Sequence, residues 1–246
     1  MTETWLLLID PKLSATDNMA IDSANLIRAA RKDFPPVLRF FDWENPSISM
    51  GYNQSIEEID EEKCREDGVD IVTRPTGGRA VLHWNEITYS LVIPVGHNLA
   101  EKSIIESYKQ ISEALIIGFR KIGIDAELAR GEAGGHRLPS CFSSTSRFEI
   151  TANGLKIVGS AQRRKSGAFL QQGSIPLTPE YRNLIDYVRG IRRQRIYDSV
   201  KSTCLSEILD DIPERESVIQ ALIYGFKSRM HMDFKAAYHP DIQAIC

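Results

Sequence analysis

The 246-residue sequence contains little cysteine, and its cysteines are far apart. There are four, and no Cys-x-x-Cys pair occurs among Cys64, Cys141, Cys204 and Cys246. A structural zinc site or a redox dithiol needs closely spaced cysteines. The sequence therefore predicts neither kind of site, and each cysteine needs its own interpretation.

Long hydrophobic runs are also missing. The apolar stretch near the start covers only Trp5–Ile9, whereas a membrane helix needs about 18 or more apolar residues. No basic segment precedes this stretch, as one does in a secretory signal peptide. We therefore expect a cytoplasmic protein with no membrane partner.

The sequence has no large excess of charge of either sign. Its 30 Lys and Arg residues stand against 33 Asp and Glu residues, which gives a net charge of -3. This balance argues against a nucleic-acid partner, because proteins that wrap nucleic-acid phosphates are basic. A hydrophobic fraction of 42% and a charged fraction of 26% are ordinary globular values. At about 150 residues per domain, we expect a single domain over 1–246.

The order of predicted elements indicates an α+β fold. Ser14 and Asp17 form a capping-box variant before a helix, and Ser103–Ile122 repeats apolar residues every three or four positions, as a buried helix does. Strands come in runs rather than in alternation with helices, so we expect mixed or antiparallel sheets with helices packed outside. The predicted strands cover 4–9, 37–41, 47–50, 69–73, 79–83, 86–95, 147–151, 155–160 and 167–175.

Three further predictions concern the remaining segments. A charged, exposed helix is expected over 56–66. The strand at 86–95 alternates apolar and polar residues, which predicts one face more deeply buried than the other. Beyond Pro176 the pattern favours helices at 180–188, 203–209 and 214–230. We therefore expect 177–246 to be a helical C-terminal extension, with no separate accessory domain.

An Asn-Gly dipeptide at 153–154 predicts a hairpin with a type I′ turn. In that register Thr151 faces Lys156, and Lys156 shares a side with Glu149. A lysine at such a position is usually a solvated strand residue. Small residues follow it, however, and glycine or alanine within a strand often marks the close approach of a ligand. These small residues are Gly159, Ser160 and Ala161.

The segment 74–81, Arg-Pro-Thr-Gly-Gly-Arg-Ala-Val, places two glycines between two arginines. The glycines let the backbone approach a ligand closely, and the guanidinium groups suit a carboxylate, phosphate or carbonyl. The spacing matches neither the dinucleotide fingerprint nor the P-loop, and a hairpin turn with exposed arginines fits it equally well. The spacing of His83 and Glu86 lacks the second histidine of the zinc protease motif, so no metal is expected here.

Cys141 stands among hydroxyl residues, after a glycine-rich loop at 131–140. A lone cysteine is most often a small buried hydrophobe. In a polar loop, solvent access and a lowered thiol pKa are easier to arrange, and the residues alone leave both interpretations open. The other three cysteines fit structural or incidental roles better.

Five segments, in order, resemble those of the lipoate and biotin protein ligase superfamily. They are Asn-Met-Ala-Ile-Asp at 18–22, the stretch from Arg-Pro-Thr-Gly-Gly to His at 74–83, Thr-Tyr-Ser at 88–90, Pro-Ser-Cys-Phe at 139–142 and Gly-Leu-Lys-Ile-Val-Gly-Ser-Ala-Gln at 154–162. Members of that superfamily attach an acyl cofactor to a lysine of a carrier domain. The Pro-Ser-Cys-Phe segment is similar to that of the cysteine-dependent octanoyltransferases, whereas ATP-dependent lipoate ligases generally lack a cysteine there.

The resemblance implies the biotin and lipoate ligase catalytic-domain fold and octanoyl transfer in lipoate biosynthesis. The octanoyl donor would be acyl-carrier protein, and the acceptor a lysine of a lipoyl carrier domain, such as the glycine cleavage H protein or a 2-oxoacid dehydrogenase E2. It further implies that Cys141 is the acyl acceptor, that Lys156 contacts the acyl carbonyl, and that no cofactor or metal is needed. The residues it places along the acyl pocket are Arg74, Gly77, Gly78, Arg79, His83, Gly159, Ser160 and Ala161.

Two alternatives remain open. An ATP-dependent lipoate ligase would need ATP and magnesium, and would use Lys156 and the glycine loop to hold an acyl-adenylate. A non-catalytic relative would bind an acyl carrier or a small acid without turnover. Consumption of ATP separates the first alternative from the transferase, and the absence of any product identifies the second.

Two basic clusters offer partner contacts on a slightly acidic protein. One is Arg-Arg-Lys at 163–165, and the other comprises Arg189, Arg192, Arg193 and Arg195. Such residues are usually solvated and of little energetic weight. Because acyl-carrier proteins and lipoyl domains are typically acidic, we hypothesise that at least one cluster steers a protein substrate.

Overall fold

The computed structural model describes residues 2–129, 149–189 and 201–238. The α-helices are α1 (Ala15–Arg28), α2 (Glu61–Glu66), α3 (Asn98–Glu101), α4 (Ile104–Lys121) and α5 (Arg215–Met230). Short 3-10 helices cover Ile56–Glu58, Pro179–Tyr187 and Leu205–Glu207. The strands are β1 (Glu3–Leu13), β2 (Val37–Trp43), β3 (Ser47–Met50), β4 (Asp70–Thr73), β5 (Val81–His83), β6 (Glu86–Ile93), β7 (Ala126–Leu128), β8 (Ile150–Ala152), β9 (Leu155–Lys156), β10 (Gly159–Lys165), β11 (Ala168–Pro176) and β12 (Met232–Ala236).

Three sheets organise these strands. The large sheet has the order β10-β11-β6-β2-β1-β12, in which β1 is parallel to β2 and β12 and the other pairs are antiparallel. A small sheet has the order β4-β3-β5, with a parallel and an antiparallel pair. A third sheet, β7-β8-β9, is antiparallel. The predicted α+β class with mixed and antiparallel sheets is confirmed.

Both faces of the large sheet are covered. Helices α4 and α5 join one face in the main hydrophobic core, while α1 packs on the other face through a second apolar cluster. Every residue of β6 is therefore buried. The expectation that β6 buries one face more deeply than the other is wrong. Helices α4 and α5 cover one face of the strand, and α1 with the small sheet covers the other.

Several local predictions are confirmed. The Ser14 side chain accepts a hydrogen bond from the Asp17 amide at the start of α1, as predicted. Asn153 and Gly154 have φ angles of 53° and 76°, which suit a type I′ turn, and Thr151 pairs with Lys156 as expected. The register follows from the turn alone, because a two-residue turn fixes which residues face each other.

Other elements differ from the prediction. The expected helix over 56–66 is divided, because Asp60 caps α2 by accepting a hydrogen bond from the Lys63 amide. Strands β4 and β5 do not form a hairpin with each other, since both pair with β3. The expected strand at 155–160 is split between two sheets, and β12 pairs with β1 although no strand was predicted there. No helix among the described residues is long and apolar enough to cross a membrane.

Glycines let α4 and α5 pack with their backbones in close contact. A Cβ atom on Gly225 would lie 2.1 Å from the carbonyl oxygen of Ala114, and one on Gly118 would lie 2.8 Å from the Cα of Leu222. No side chain fits at these distances unless one helix moves.

We expect Gly225→Ala to lower the free energy of unfolding by ~1–3 kcal/mol, because the added methyl group forces the two helices apart. Ser228→Ala is the control, since Ser228 is exposed on the same helix. Urea denaturation measures both variants. Equal stabilities would contradict the close packing of these helices.

Candidate active site

A narrow cavity of about 30 Å³ lies between the small sheet and the large sheet, close to α1. The small sheet and its loop contribute side chains such as Val81 and Thr76, the large sheet contributes Thr88 and Gln172, and α1 contributes Met19. Five predicted pocket residues line this cavity: Arg74, His83, Gly159, Ser160 and Ala161. Four of the predicted site residues do not line it: Gly77, Gly78, Arg79 and Lys156.

Arg74 is buried, and it holds the shape of its own loop. Its Nη1 atom donates to the backbone oxygen and the hydroxyl of Ser49, at 2.7 and 3.1 Å. Its Nη2 atom donates to the carbonyl oxygens of Gly77 and Arg79, both at 2.7 Å. The interpretation of the segment as a hairpin with exposed arginines is therefore wrong, and the Arg74 guanidinium braces the turn that follows it.

The two glycines of the loop lie beside β3. A Cβ atom on Gly51, just after β3, would stand 2.0 Å from the carbonyl oxygen of Gly78. Gly78 itself has a φ angle of 95°, which favours glycine. Gly77 has no atom within 4 Å of a Cβ position. Arg79 points away to Glu58, with which it forms a partly exposed ion pair at 3.2 Å.

His83 connects a hydroxyl and a carboxylate at the floor of the cavity. Its Nε2 atom lies 2.7 Å from the Ser49 hydroxyl, and its Nδ1 atom lies 2.7 Å from Glu86 Oε1. Because a carboxylate only accepts, Nδ1 is the donor to Glu86. The Trp43 indole stacks on the imidazole with ring centroids 4.1 Å apart. These contacts fix the position of the ring.

Glu86 is a buried anion that accepts hydrogen bonds from His83, Thr88 and Ser174. Burial raises the pKa of its carboxyl, but attraction to His83 and hydrogen bonds from His83, Ser174 and Thr88 outweigh burial and hold that pKa below its ordinary value. Glu86 is therefore charged at neutral pH, and its oxygens accept from three side chains.

Lys156 is a buried cation rather than a solvated strand residue. Its Nζ atom lies 2.6 Å from Glu149 Oε1, and the two side chains are only 4% and 8% exposed. The segment after residue 200 covers it, since Lys156 exchanges backbone hydrogen bonds with Lys201 and Thr203. Lys156 stands three positions before Gly159, which lines the cavity.

The described cysteines are poor nucleophiles. Burial raises the pKa of the Cys64 thiol to about 11, and burial also raises the pKa of Cys204. A thiol that stays protonated at neutral pH does not react readily. Cys141 and Cys246 lie outside the described residues.

The chain is similar to known lipoyl protein ligases and octanoyltransferases. Residues 14–227 match the model of the lipoyl protein ligase A/B catalytic domain. The chain belongs to that family. Its curated relatives include the octanoyltransferase LipM of Moorella thermoacetica, 39% identical over 94% of this chain and 88% of that protein, and that of Carboxydothermus hydrogenoformans, 42% identical over 94% and 88%. The chain is accordingly an acyltransferase of this family.

Solved structures agree on the fold. A bi-partite lipoate protein ligase from Thermoplasma acidophilum aligns with a TM-score of 0.75 at 21% identity, over 99% of this chain and 90% of that one. Lipoate-protein ligase A bound with ATP aligns with a TM-score of 0.72 at 22% identity, over 100% and 92%. The predicted ligase-like catalytic fold is confirmed.

Sequence reasoning missed several side chains that line or support the cavity of this family member. Trp43 and Ser49 carry no motif, and their role depends on pairing between distant strands. The spacing of His83 and Glu86 was considered only as a metal-binding pattern. A histidine and a carboxylate three residues apart across a tight turn can also form a hydrogen bond, as these two do. Gln172 and Ser174 are polar residues within an otherwise largely apolar strand. That pattern could have indicated that they face a site rather than the hydrophobic core.

Two of the three basic residues at 163–165 are engaged in contacts within the protein, and Lys165 is exposed. Arg163 donates to the Pro75 carbonyl at 2.8 Å and stacks on Tyr52, while Arg164 donates to Ala100 and Ser107. These arginines tie the large sheet to its surroundings. In the second cluster Arg189 pairs with Asp60 at 3.6 Å, and 192–195 lie outside the described residues, so its steering role stays a prediction.

We expect Glu86→Gln to lower the free energy of unfolding at pH 7 by ~1–3 kcal/mol, because its three hydrogen-bond donors lose an anionic acceptor. The native pKa of Glu86 is depressed, so its stabilisation is complete above the unfolded value near 4.5 and is lost as pH falls through the native pKa. Urea denaturation between pH 7 and pH 3 should show the difference from wild type shrinking.

Glu66→Gln is the matched control, because Glu66 is exposed in α2. A difference between Glu86→Gln and wild type that stays constant down to pH 3 would contradict the buried, ionised state of Glu86.

Proposed function

We propose that this chain is an octanoyltransferase of lipoate biosynthesis. It moves an octanoyl group from acyl-carrier protein to a lysine of a lipoyl carrier domain, such as a glycine cleavage H protein or a 2-oxoacid dehydrogenase E2, through a thioester on Cys141, in the cytoplasm. Octanoyltransferase relatives that align over 94% of the chain support this activity. The observation that carries the mechanism is the buried cation Lys156, which begins the segment that forms one wall of the cavity.

The cavity suits a thin apolar chain. Glycine and alanine on β10 leave room beside the sheet, and Trp43, Val81 and Met19 supply apolar surface. An octanoyl group needs more than about 30 Å³, so the lining must move apart when the chain enters. Met19 is the side chain best suited to move, because methionine is unbranched and flexible.

The chemistry has two balanced steps. The Cys141 thiolate attacks the carbonyl carbon of the octanoyl thioester, a carbon–sulfur bond forms, and the carrier thiolate leaves and takes up a proton. The neutral amine of the lipoyl-domain lysine then attacks the acyl-cysteine, the Cys141 thiolate leaves, and the nitrogen loses its proton. Exchange of one thioester for another is nearly balanced, and amide formation is favourable. No nucleotide, metal or other cofactor is therefore required.

Lys156 is proposed to stabilise the negative charge in both steps. An ammonium group beside a thiol favours the thiolate, and a fixed cation in a dry site stabilises a developing oxyanion. Glu149 compensates this charge in the buried site, because an isolated buried ammonium is costly. The pair therefore keeps a cation ready where water is excluded.

We expect octanoyl transfer to proceed without ATP and to depend on one cysteine. Purified enzyme, octanoyl-acyl-carrier protein and an apo lipoyl domain should give octanoylated lipoyl domain, measured by intact mass. Cys141→Ala should abolish the product. Cys64→Ala and Cys204→Ala should retain activity per folded enzyme, because their thiols are buried and protonated.

Two results would contradict the proposed octanoyl transfer. A strict need for ATP and magnesium, with pyrophosphate released, would assign the chain to the ligases. Absence of product with either octanoyl-acyl-carrier protein, or octanoate plus ATP, would indicate a non-catalytic relative.

Removing Lys156 requires a paired design. Lys156→Met alone leaves Glu149 as a buried carboxylate without its cation, which costs ~3–5 kcal/mol. We therefore expect Lys156→Met/Glu149→Gln to be more stable than Lys156→Met in thermal unfolding. In the folded double variant, acylation of Cys141 should be slower by ~100- to 1,000-fold, the usual loss for one such electrostatic contact.

Glu149→Gln alone is the matched control, because it retains the cation. It should acylate Cys141 faster than the double variant does in the same single-turnover assay. Wild-type acylation rates in the double variant would show that Lys156 takes no part in the chemistry.

A further inference from the structure

A chain of buried side chains links helix α1 to the loop at 74–79. Gln172 of β11 stands in the middle and lines the cavity. Its amide nitrogen donates to Asp22 Oδ2 at 2.6 Å, and its amide oxygen accepts from Thr76 Oγ1 at 2.7 Å. All three side chains are buried. One intermediate side chain thus joins Asp22 to the loop, and we call the three residues the relay.

Asp22 determines the direction of both hydrogen bonds. A carboxylate only accepts, so the amide nitrogen of Gln172 must face Asp22, and the amide oxygen is turned to Thr76. The opposite amide orientation would place an oxygen against the carboxylate. Thr76 consequently has a fixed acceptor for its hydroxyl, and the loop is held at one distance above β11.

Asp22 is itself held by two further hydrogen bonds. Its Oδ1 atom accepts from Arg39 Nη1 at 3.0 Å and from the Ser90 hydroxyl at 2.8 Å. It lies between α1 and the large sheet, and it is not among the described residues that line the cavity. Its hydrogen bond to Gln172 joins Asp22 directly to a side chain that lines the cavity.

Thr76 is the point at which the relay meets the loop. Its backbone oxygen also accepts from the Tyr52 amide at 2.9 Å, and its side chain lines the cavity. Gly77 and Gly78 follow it directly. A shift of Thr76 therefore moves a side chain that lines the cavity together with the backbone that follows it.

We propose that Asp22 and Gln172 are positioning residues for acyl transfer. They hold Thr76, and with it the 74–79 loop, at the height above the large sheet that the acyl thioester requires. This inference rests on the proposed octanoyl transfer and adds residues that do not take part in the covalent steps. Its physical basis is the matching of donors to acceptors along the relay.

A charge swap tests the relay. Gln172→Glu places two carboxylates together, so it should lower kcat/KM by ~100-fold through a displaced loop. Asp22→Asn lets the Gln172 amide turn over, and it should lower kcat/KM by ~10-fold. In Asp22→Asn/Gln172→Glu, the new amide donates to the new carboxylate, Thr76 still donates to it, and Arg39 retains an acceptor. This double variant has the net charge of wild type. Its kcat/KM should be at least tenfold higher than that of Gln172→Glu.

The assay is octanoyl transfer from octanoyl-acyl-carrier protein to a lipoyl domain, with kcat and KM measured per folded enzyme. Gly225→Ala is the stability control, because it loosens the distant α4–α5 contact and should leave kcat unchanged below its unfolding temperature. Recovery in the charge swap supports the inference. A double variant no better than Gln172→Glu, or losses that merely follow unfolding temperature as in Gly225→Ala, would overturn it.

A second pair of variants covers the case in which Gln172→Glu does not fold. Thr76→Val removes the hydroxyl while keeping the shape, and Thr76→Ser keeps the hydroxyl. We expect a ~10-fold lower kcat in Thr76→Val and most of the activity in Thr76→Ser. Equal kcat in both would overturn the inference. If wild type itself transfers no octanoyl group, the proposed function is wrong, which is a separate result from a failed rescue.

Discussion

The buried guanidinium of Arg39 is the constraint on which the site depends. Its side chain is 0% exposed, and its three nitrogens meet Asp10 at 2.5 Å, Asp22 at 3.0 Å and Asn18 Oδ1 at 2.7 Å. A buried charge is tolerated only when it is paired and fully hydrogen-bonded. Because these acceptors come from β1 and α1, satisfying Arg39 fixes the helix against the large sheet. Asp22 is thereby set in the position from which it holds Gln172.

A second buried cation, Arg74, does the same for the small sheet. It binds carbonyl oxygens of its own loop and the hydroxyl of Ser49, which also contacts His83. The cavity thus lies between two hydrogen-bonded groups of residues. One surrounds Arg39 and the other surrounds Arg74, and both guanidinium groups donate to atoms of the protein itself. The two groups of residues meet where Thr76 contacts Gln172, so the spacing of the sheets is set by hydrogen bonds rather than by apolar packing alone.

Local features could be read from the sequence because nearby residues determine them. The Asn-Gly turn set the register of Thr151 against Lys156, and Ser14 caps α1 through the Asp17 amide as its pattern predicts. The burial of Lys156 could not be predicted, since it depends on a segment 45 or more positions later that lies beside β9. The roles of Arg74, His83 and Gln172 likewise depend on β3 pairing with both β4 and β5 and on β11 lying under the loop. Motif resemblance identified many of the residues around the cavity. Only the fold shows which of them line the cavity and which hydrogen-bond to one another to support it.

The most direct test of the covalent mechanism is a pulse-chase measured by intact and peptide mass. Enzyme mixed with octanoyl-acyl-carrier protein, without nucleotide, should carry one octanoyl group that maps to the peptide containing Cys141. Addition of apo lipoyl domain should remove that group and place it on the acceptor lysine at the rate of overall transfer. An octanoyl group on another residue, or product that forms while the Cys141 adduct persists, would contradict transfer through Cys141.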